Sequence, residues 1–293
     1  MKRNDFISIV LIFGLIASLS SCFPPFKPKE PEIITDTITT DTLLPVKEIT
    51  DDTLFSIPIS EQTVMAVLFQ QKSAEYRALC YQAFNMARIM LERDLRDENV
   101  ILPRAVIVDI DETMVDNSPH SAKCIEKATS YPEYWDRWCN LGKAKALPGA
   151  VEFMKLARNY GVTLFYVSNR KEHLREATVR NLQELGFPQA TDKNIILRTA
   201  ESGKENRRRA IAANYHISLL IGDNLADFSD IFEKKSVTDR AKVTDSLRNE
   251  FGRRYIVLPN AMYGDWEEAL YNYNMSYSDS QKMAIRKQWL ESF

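Results

Sequence analysis

Two places in the chain set carboxylates at the end of an apolar run. The first is Asp109 and Asp111, one residue apart, after Ala105-Val-Ile-Val108. The second is Asp223, after Ile217–Ile221 and Gly222, with Asp227 four residues on. Short apolar runs of this kind fit strands buried on both faces of a parallel sheet. An open α/β sheet takes its ligand just beyond the carboxyl ends of such strands. Two carboxylates held this close repel each other unless something positive lies between them or one carries a proton. A divalent metal with oxygen ligands relieves that repulsion, and so does a division of roles between a nucleophile and an acid. The plainer account is that the acids open a loop or cap the next helix. That account serves for either pair alone. It is the weaker one for two pairs more than a hundred residues apart with polar strand ends between them.

The elements that must position these acids follow from periodicity. Glu61–Asn99 has apolar residues at helical spacing, and its aromatics Phe69, Tyr76, Tyr81 and Phe84 are expected in the core. Ser118–Leu147 is an irregular, aromatic-rich insertion. It reads either as a small helical layer on the sheet edge or as a lid over the acids, with Trp135 the best candidate to grip an organic group. Pro148–Tyr160 reads as a helix with Pro148 in its first turn and Gly161 ending it. Val162–Val167 reads as a strand closing in Ser168-Asn169-Arg170. A helix over Lys171–Leu185, a short strand Asn194–Leu197 and a helix Lys204–Asn214 follow, and Arg207, Arg208 and Arg209 are expected on a solvated face. Gly222 is expected to permit a tight turn, and a helical turn there would bring Asp227 beside Asp223. Tyr255–Leu258 reads as a last strand before a helical tail. Strand and helix alternate, so the fold class is α/β with a mainly parallel central sheet flanked by helices.

Composition narrows the function. The net charge of −2 over 293 residues gives no basic field, so no nucleic acid polymer is expected as a partner. Cys22, Cys80, Cys124 and Cys139 show no C-x-x-C spacing, against a zinc or thioredoxin-type site, and free buried thiols are expected. No G-x-x-x-x-G-K-[ST], H-E-x-x-H or G-x-S-x-G occurs. Lys2, Arg3 and the apolar run Phe6–Ala17 form an export signal over residues 1–21. Leu19-Ser-Ser-Cys22 is similar to the bacterial lipobox, which makes Cys22 a lipidation site. Residues 22–59 are rich in proline and are expected to form a disordered tether, with 60–293 as the expected domain. The polar set Asp109, Asp111, Ser168, Lys204, Asp223 and Asp227 suits a hard cation such as Mg²⁺. Asp109 would attack phosphorus, and Asp111 would protonate the leaving oxygen and then activate water. Ser168 and Lys204, with Asn169 beside them, would hold the phosphoryl oxygens.

Ile107-Val-Asp-Ile-Asp-Glu-Thr-Met-Val-Asp-Asn-Ser-Pro119 and Leu220-Ile-Gly-Asp-Asn-Leu-Ala-Asp-Phe228 resemble the bipartite signature of the class C nonspecific acid phosphatases. These belong to the haloacid dehalogenase (HAD) superfamily, four-aspartate type. Pro148–Phe153, Phe165–Arg170 and Leu258–Trp266 resemble the outer-membrane lipoprotein members. The likeness runs over roughly residues 60–293. It implies a Rossmann-like core and a small helical cap contributed by about 60–100, 118–147 and the C-terminal helices. It implies Asp109 as nucleophile and Asp111 as acid/base. Mg²⁺ would be bound by the Asp109 carboxylate, the Asp111 backbone carbonyl and Asp223, with Asp227 supporting through water. It further implies Lys204 as the phosphate-binding lysine, and Trp135 and Tyr263 as aromatics that stack on the substrate. His120 stands where the first signature usually has tyrosine. The expected activity is Mg²⁺-dependent hydrolysis of small phosphomonoesters, 5′-nucleotides, nicotinamide mononucleotide and aryl phosphates among them, through an aspartyl-phosphate. The rivals are a binding lipoprotein without turnover and a phosphotransferase to alcohols. Expected partners are the substrate, a membrane through the lipid anchor and a second copy in a homodimer, with the outer membrane of the cell envelope as location. If Cys22 carries the lipid, cells fed labelled palmitate label the wild-type chain and not Cys22→Ser, and equal labelling of both excludes the anchor.

Overall fold

The computed structural model describes residues 57–293. The expected signal, Cys22 and the tether as far as Ser56 lie outside the described residues. The helical pattern over 61–99 takes the form of a 3-10 turn (Ile59–Thr63) and two helices, α1 (Val64–Lys72) and α2 (Ala74–Asp94). Ser73 breaks them. Its backbone is extended, and its hydroxyl accepts from the Tyr76 N–H at 3.0 Å, which caps α2. The two helices also have different jobs. α2 packs on the sheet through Cys80, Ala83, Phe84, Ala87 and Leu91. Of the four aromatics expected in the core, Tyr76 and Phe84 are buried while Phe69 and Tyr81 are exposed. Tyr81 is one residue past buried Cys80, about 100° round the helix from the packed stripe.

The remaining elements are β1 (Arg104–Val108), β2 (Val115–Asp116), α3 (Ser118–Glu126), α4 (Trp135–Leu141), β3 (Lys145–Ala146), α5 (Ala150–Asn159), β4 (Thr163–Lys171), α6 (Arg175–Glu184), β5 (Ile195–Arg198), α7 (Glu205–Ala212), β6 (His216–Gly222), α8 (Val237–Ser246), β7 (Tyr255–Val257), α9 (Asp265–Leu270) and α10 (Asp279–Gln288). Five strands form one parallel sheet in the order β5-β4-β1-β6-β7. β2 and β3 make a separate antiparallel pair that clips the aromatic-rich insertion at both ends. Neither that pair nor α8 is foreshadowed by an apolar period in the sequence. β4 runs through Lys171 rather than stopping at Val167, so Ser168, Asn169 and Arg170 are strand residues.

The sheet is buried on both sides, as the near-continuous apolar strands require. Val106, Val108, Leu164, Tyr166 and Ile221 meet α2 and α5 on one face. Ala105, Ile107, Phe165, Val167 and Leu220 meet Ile211 of α7 and Phe228 on the other. Cys80, Cys124 and Cys139 are free and buried. Among the described residues no helix is long and apolar enough to cross a membrane. From β1 the chain first builds outward through β4 and β5, then returns to place β6 on the other side of β1. The strand order therefore reverses between β1 and β6, and a sheet of this kind opens a crevice at that point.

One partly buried tie holds α2 to the sheet. Asp94 accepts from Arg104 Nε at 2.9 Å, from Ser218 Oγ at 2.7 Å and bonds His216 Nε2 at 2.8 Å. Burial pushes its carboxyl up, but the donors from Ser218, His216 and Arg104 outweigh burial and hold it below its ordinary value. A carboxyl depressed in the folded state adds stability above its unfolded value near 3.9 and loses it as pH falls through the lower folded one. Asp94→Asn should lower stability to urea by about 1–2 kcal/mol at pH 7. The gap between wild type and variant should narrow below about pH 4, and a gap constant down to the acid limit would contradict the tie.

Candidate active site

Asp109 follows β1 directly, and its N–H bonds Ile221 O of β6 at 2.9 Å, so it stands at the point where the strand order reverses. Asp223 follows β6. Asp227 ends a 3-10 turn, Leu225–Asp227, that Asn224 opens, with the Asn224 N–H donating to Asp227 Oδ2 at 3.0 Å. The turn that the four-residue spacing required is thus present. One carboxylate oxygen from each of Asp109, Asp223 and Asp227 lies within 4.8 Å of the other two. Lys204, the residue before α7, reaches in between and donates to Asp109 and to Asp227 Oδ1, the latter at 2.6 Å.

The electrostatics follow from crowding like charges away from water. Burial pushes the Asp109 carboxyl well above the usual range, Lys204 opposes this, and Asp227, Asp223 and Asp111 add to it. Burial raises Asp223 to about 8, with Asp227 adding and the Asn260 amide, 2.8 Å from Oδ2, opposing. Burial alone would push the Lys204 ammonium down, but Asp109 and Asp227 more than offset this and hold it protonated. Three crowded carboxylates, Asp109 and Asp227 buried and Asp223 partly so, facing one ammonium leave a surplus of negative charge. Their donor set is all hard oxygen at one focus, and the residues fit a small divalent cation.

Gly222 makes room for this focus, and not in the way the sequence suggests. It does not adopt a left-handed conformation. A side chain at 222 would instead meet Asp227, with Cβ at 2.5 Å and Cγ at 2.7 Å. Only a residue without a Cβ lets the Asp227 carboxylate lie against the end of β6.

Asp111 sits apart from the other three acids. Its carboxylate accepts from Arg170 Nε at 2.9 Å and Nη2 at 2.8 Å, from Ser168 Oγ at 3.1 Å and from Asn117 Nδ2 at 2.8 Å. Arg170 is almost fully buried, and its guanidinium lies 5.7 Å from the ring centre of Trp135. Burial works against the charge on Arg170, but Asp111 more than compensates and keeps it protonated.

The other expected site residues divide. Asn169, Trp135, Tyr263 and His120 line one cavity of about 490 Å³ that also takes in Asp109, Asp111, Lys204, Asp223 and Asp227. Ser168 does not line it. Its hydroxyl donates to Asp111 and accepts from the Arg170 N–H at 3.0 Å, so it braces the acid from behind. Asn169 Oδ1 accepts from Arg207 at 2.6 Å, and Arg207 Nη1 donates to Ser168 O at 2.7 Å. Arg207 and Arg208 are therefore not a solvated face. Arg208 is buried and donates to Asp227 O at 2.9 Å, fixing the turn that carries Asp227. The insertion forms two helices, α3 and α4, and still walls the cavity through His120 and Trp135, whose rings meet edge-on at 5.1 Å. His120 Nε2 bonds Glu133 O at 2.8 Å, and burial lowers its basicity. The sequence reading missed Arg170, Asn117 and Glu112. Strand periodicity could have found Arg170, since Ser168 and Arg170 share a face and both reach Asp111. Glu112 left no signal.

The comparisons with known proteins bear on this geometry. Residues 46–266 match the family model described as HAD superfamily, subfamily IIIB (acid phosphatase). The chain belongs to this family. It is similar to the class C acid phosphatase of Bacillus anthracis, at 41% identity and a TM-score of 0.79 over 81% of this chain and all of that one. A second structure of that enzyme, with tungstate bound, matches at 42% identity and a TM-score of 0.79 over the same shares. Acid phosphatase 1 of Solanum lycopersicum is 26% identical over 165 residues, 54% of this chain, and the match spans 57% of the tomato protein's length. Members of the subfamily IIIB acid phosphatases are phosphoric monoester hydrolases, and HAD phosphatases in general depend on a metal. The aspartate focus here is a place that could hold one. In this acid phosphatase fold Gly222→Ala should displace Asp227 and cut phosphatase activity by about 100-fold with an unchanged far-UV spectrum. Activity within a few-fold of wild type would show that the close approach is dispensable.

Proposed function

We propose that this chain hydrolyses small phosphomonoesters with Mg²⁺ through an aspartyl-phosphate. The observation that carries the reading is that two acids two residues apart are held in opposite surroundings. Asp109 faces Lys204, Asp223 and Asp227, whereas Asp111 is cradled by Arg170, Ser168 and Asn117. Carboxylates with environments this different can divide the roles of nucleophile and acid/base. Asp109 attacks phosphorus, the ester P–O bond breaks, and the leaving oxygen takes a proton from Asp111. Asp111 then takes a proton from water as that water attacks the phosphorus, and Asp109 is released with inorganic phosphate. Lys204 and Asn169 hold phosphoryl oxygens. Asp109, Asp223 and Asp227 would hold the Mg²⁺, with the Asp111 backbone carbonyl. The ion supplies positive charge against the phosphoryl oxygens as they approach the acids.

The tungstate in the Bacillus anthracis relative is a tetrahedral oxyanion, in keeping with phosphoryl binding. The cavity volume suits a nucleotide or an aryl ester, and the Trp135 and Tyr263 rings in its wall suit a planar organic group. 5′-Nucleotides, nicotinamide mononucleotide and aryl phosphates are the substrates proposed. A lipid on Cys22 would hold the enzyme at the outer membrane of the cell envelope. A binding protein without turnover has no use for both Asp109 and Asp111 in these settings. Purified protein should release p-nitrophenol from p-nitrophenyl phosphate, lose this with EDTA and regain it with Mg²⁺. Asp109→Asn should lower kcat at least about 1,000-fold at an unchanged urea midpoint, and wild-type turnover by that variant would reject the covalent route.

A further inference from the structure

Glu112 is the residue after Asp111, and the activity proposed above makes no use of it. It is completely buried, and its backbone is left-handed at φ 54°. A side chain in that conformation is strained, and such positions persist where the surroundings over-determine them. Here four donors do so. Oε1 accepts from the Asn117 N–H at 2.7 Å and from Gln70 Nε2 at 3.4 Å. Oε2 faces Asn117 Nδ2 at 3.3 Å and the Tyr263 hydroxyl. Gln70 belongs to α1 and Tyr263 to the segment after β7, 42 and 151 residues away in the chain. One buried carboxyl thus joins the catalytic turn to α1 and, through Tyr263, to a distant wall of the cavity. Burial raises that carboxyl to about 8, but the bond to Tyr263 joins the same two oxygens whichever of them carries the proton.

Tyr263 is built for the other end of this link. The residue is 40% exposed and lines the cavity, while its hydroxyl is held against Glu112. A tyrosine on a loop with a free hydroxyl samples several rotamers. Ordering it on a substrate opposes binding, and a ring already tethered avoids that penalty. We propose that Glu112 is a positioning residue that acts through the Tyr263 hydroxyl, and that this tether sets the preference for phosphomonoesters with a planar organic group. The inference rests on the phosphomonoesterase reading. Esters whose organic part is too small to lie against the ring gain little from the tether, so it acts on selectivity and on KM more than on the chemical step.

The test measures kcat and KM on p-nitrophenyl phosphate and on glycerol phosphate, with Mg²⁺, for wild type, Glu112→Ala, Tyr263→Phe and the double variant. Each single change should lower the aryl-over-glycerol ratio of kcat/KM about five-fold, with the loss in the aryl KM. The double variant should be no worse than the singles, because both break one link. Losses that multiply in the double variant overturn the proposal, as does an equal fall in kcat on both esters with the ratio kept, which is what a merely structural role gives. If Glu112→Ala is insoluble, Tyr263→Phe decides alone: a wild-type ratio overturns the tether and a fallen ratio supports it. A wild type that releases phosphate from neither ester ends the underlying reading, and this proposal with it. A wild type active on both, with variants at its ratio, ends only the tether.

Discussion

Repulsion between carboxylates crowded at one partly buried focus is the interaction on which the rest of this structure depends. Asp109, Asp223 and Asp227 gather at one sheet edge with one carboxylate oxygen from each within 4.8 Å of the other two. Left alone, such a group would take up protons or swing apart. Lys204 answers part of the charge, and Arg208 and Asn224 pin the turn that holds Asp227. The remaining surplus is what makes the focus a place for a cation and, through it, for a substrate that is itself an anion. The same crowding would be a defect in a structural core. It is tolerable here because the sheet beneath is fixed by apolar packing on both faces, which supplies the stability that the edge spends.

The acid beside this group is kept out of it. Asp111 is two residues from Asp109, yet it bonds a buried arginine, a serine and an asparagine rather than joining the other three. The separation arises from backbone geometry. The chain leaves β1, turns tightly through Glu112 with its N–H on Val115 O at 2.9 Å, and enters the clip of β2 with β3. Two adjacent acids thereby acquire unlike electrostatic settings, and a division of chemical roles needs just that. Arg170 extends the arrangement outward. It pairs with Asp111 and lies under Trp135, so the aromatic wall and the acid share one buried cation.

The fold class was legible because its signal is local. Apolar runs of strand length alternating with amphipathic helices give a parallel sheet, and acids at the strand ends give its ligand edge. Asp109, Asp111, Asp223, Asp227 and Lys204 were all chosen from spacing and from a family resemblance, and all five border the one cavity. Ser168 was expected with them but stands behind Asp111, since its short side chain is fully buried and spends its hydroxyl on that acid. The helical pattern over 61–99 is present but divided at Ser73, where a side-chain cap competes with the helix. The role expected of Gly222, permitting a tight turn, is not the one the structure shows. A glycine signals either freedom of φ or lack of bulk, and only the position of Asp227 shows which.

The amino-acid sequence by itself determined the five strands of the main sheet, most of the helices between them, and which acids stand at the strand ends, because hydrophobic period and residue type are properties of neighbours in the chain. Tertiary structure decided what each polar group does there. Whether an arginine is solvated or braces an aspartate, and whether a tyrosine faces solvent or a buried glutamate, depends on partners up to 151 residues away. Hydrogen bonds and charges act over a few ångströms, and no local pattern in a chain records which distant residues folding will bring that close.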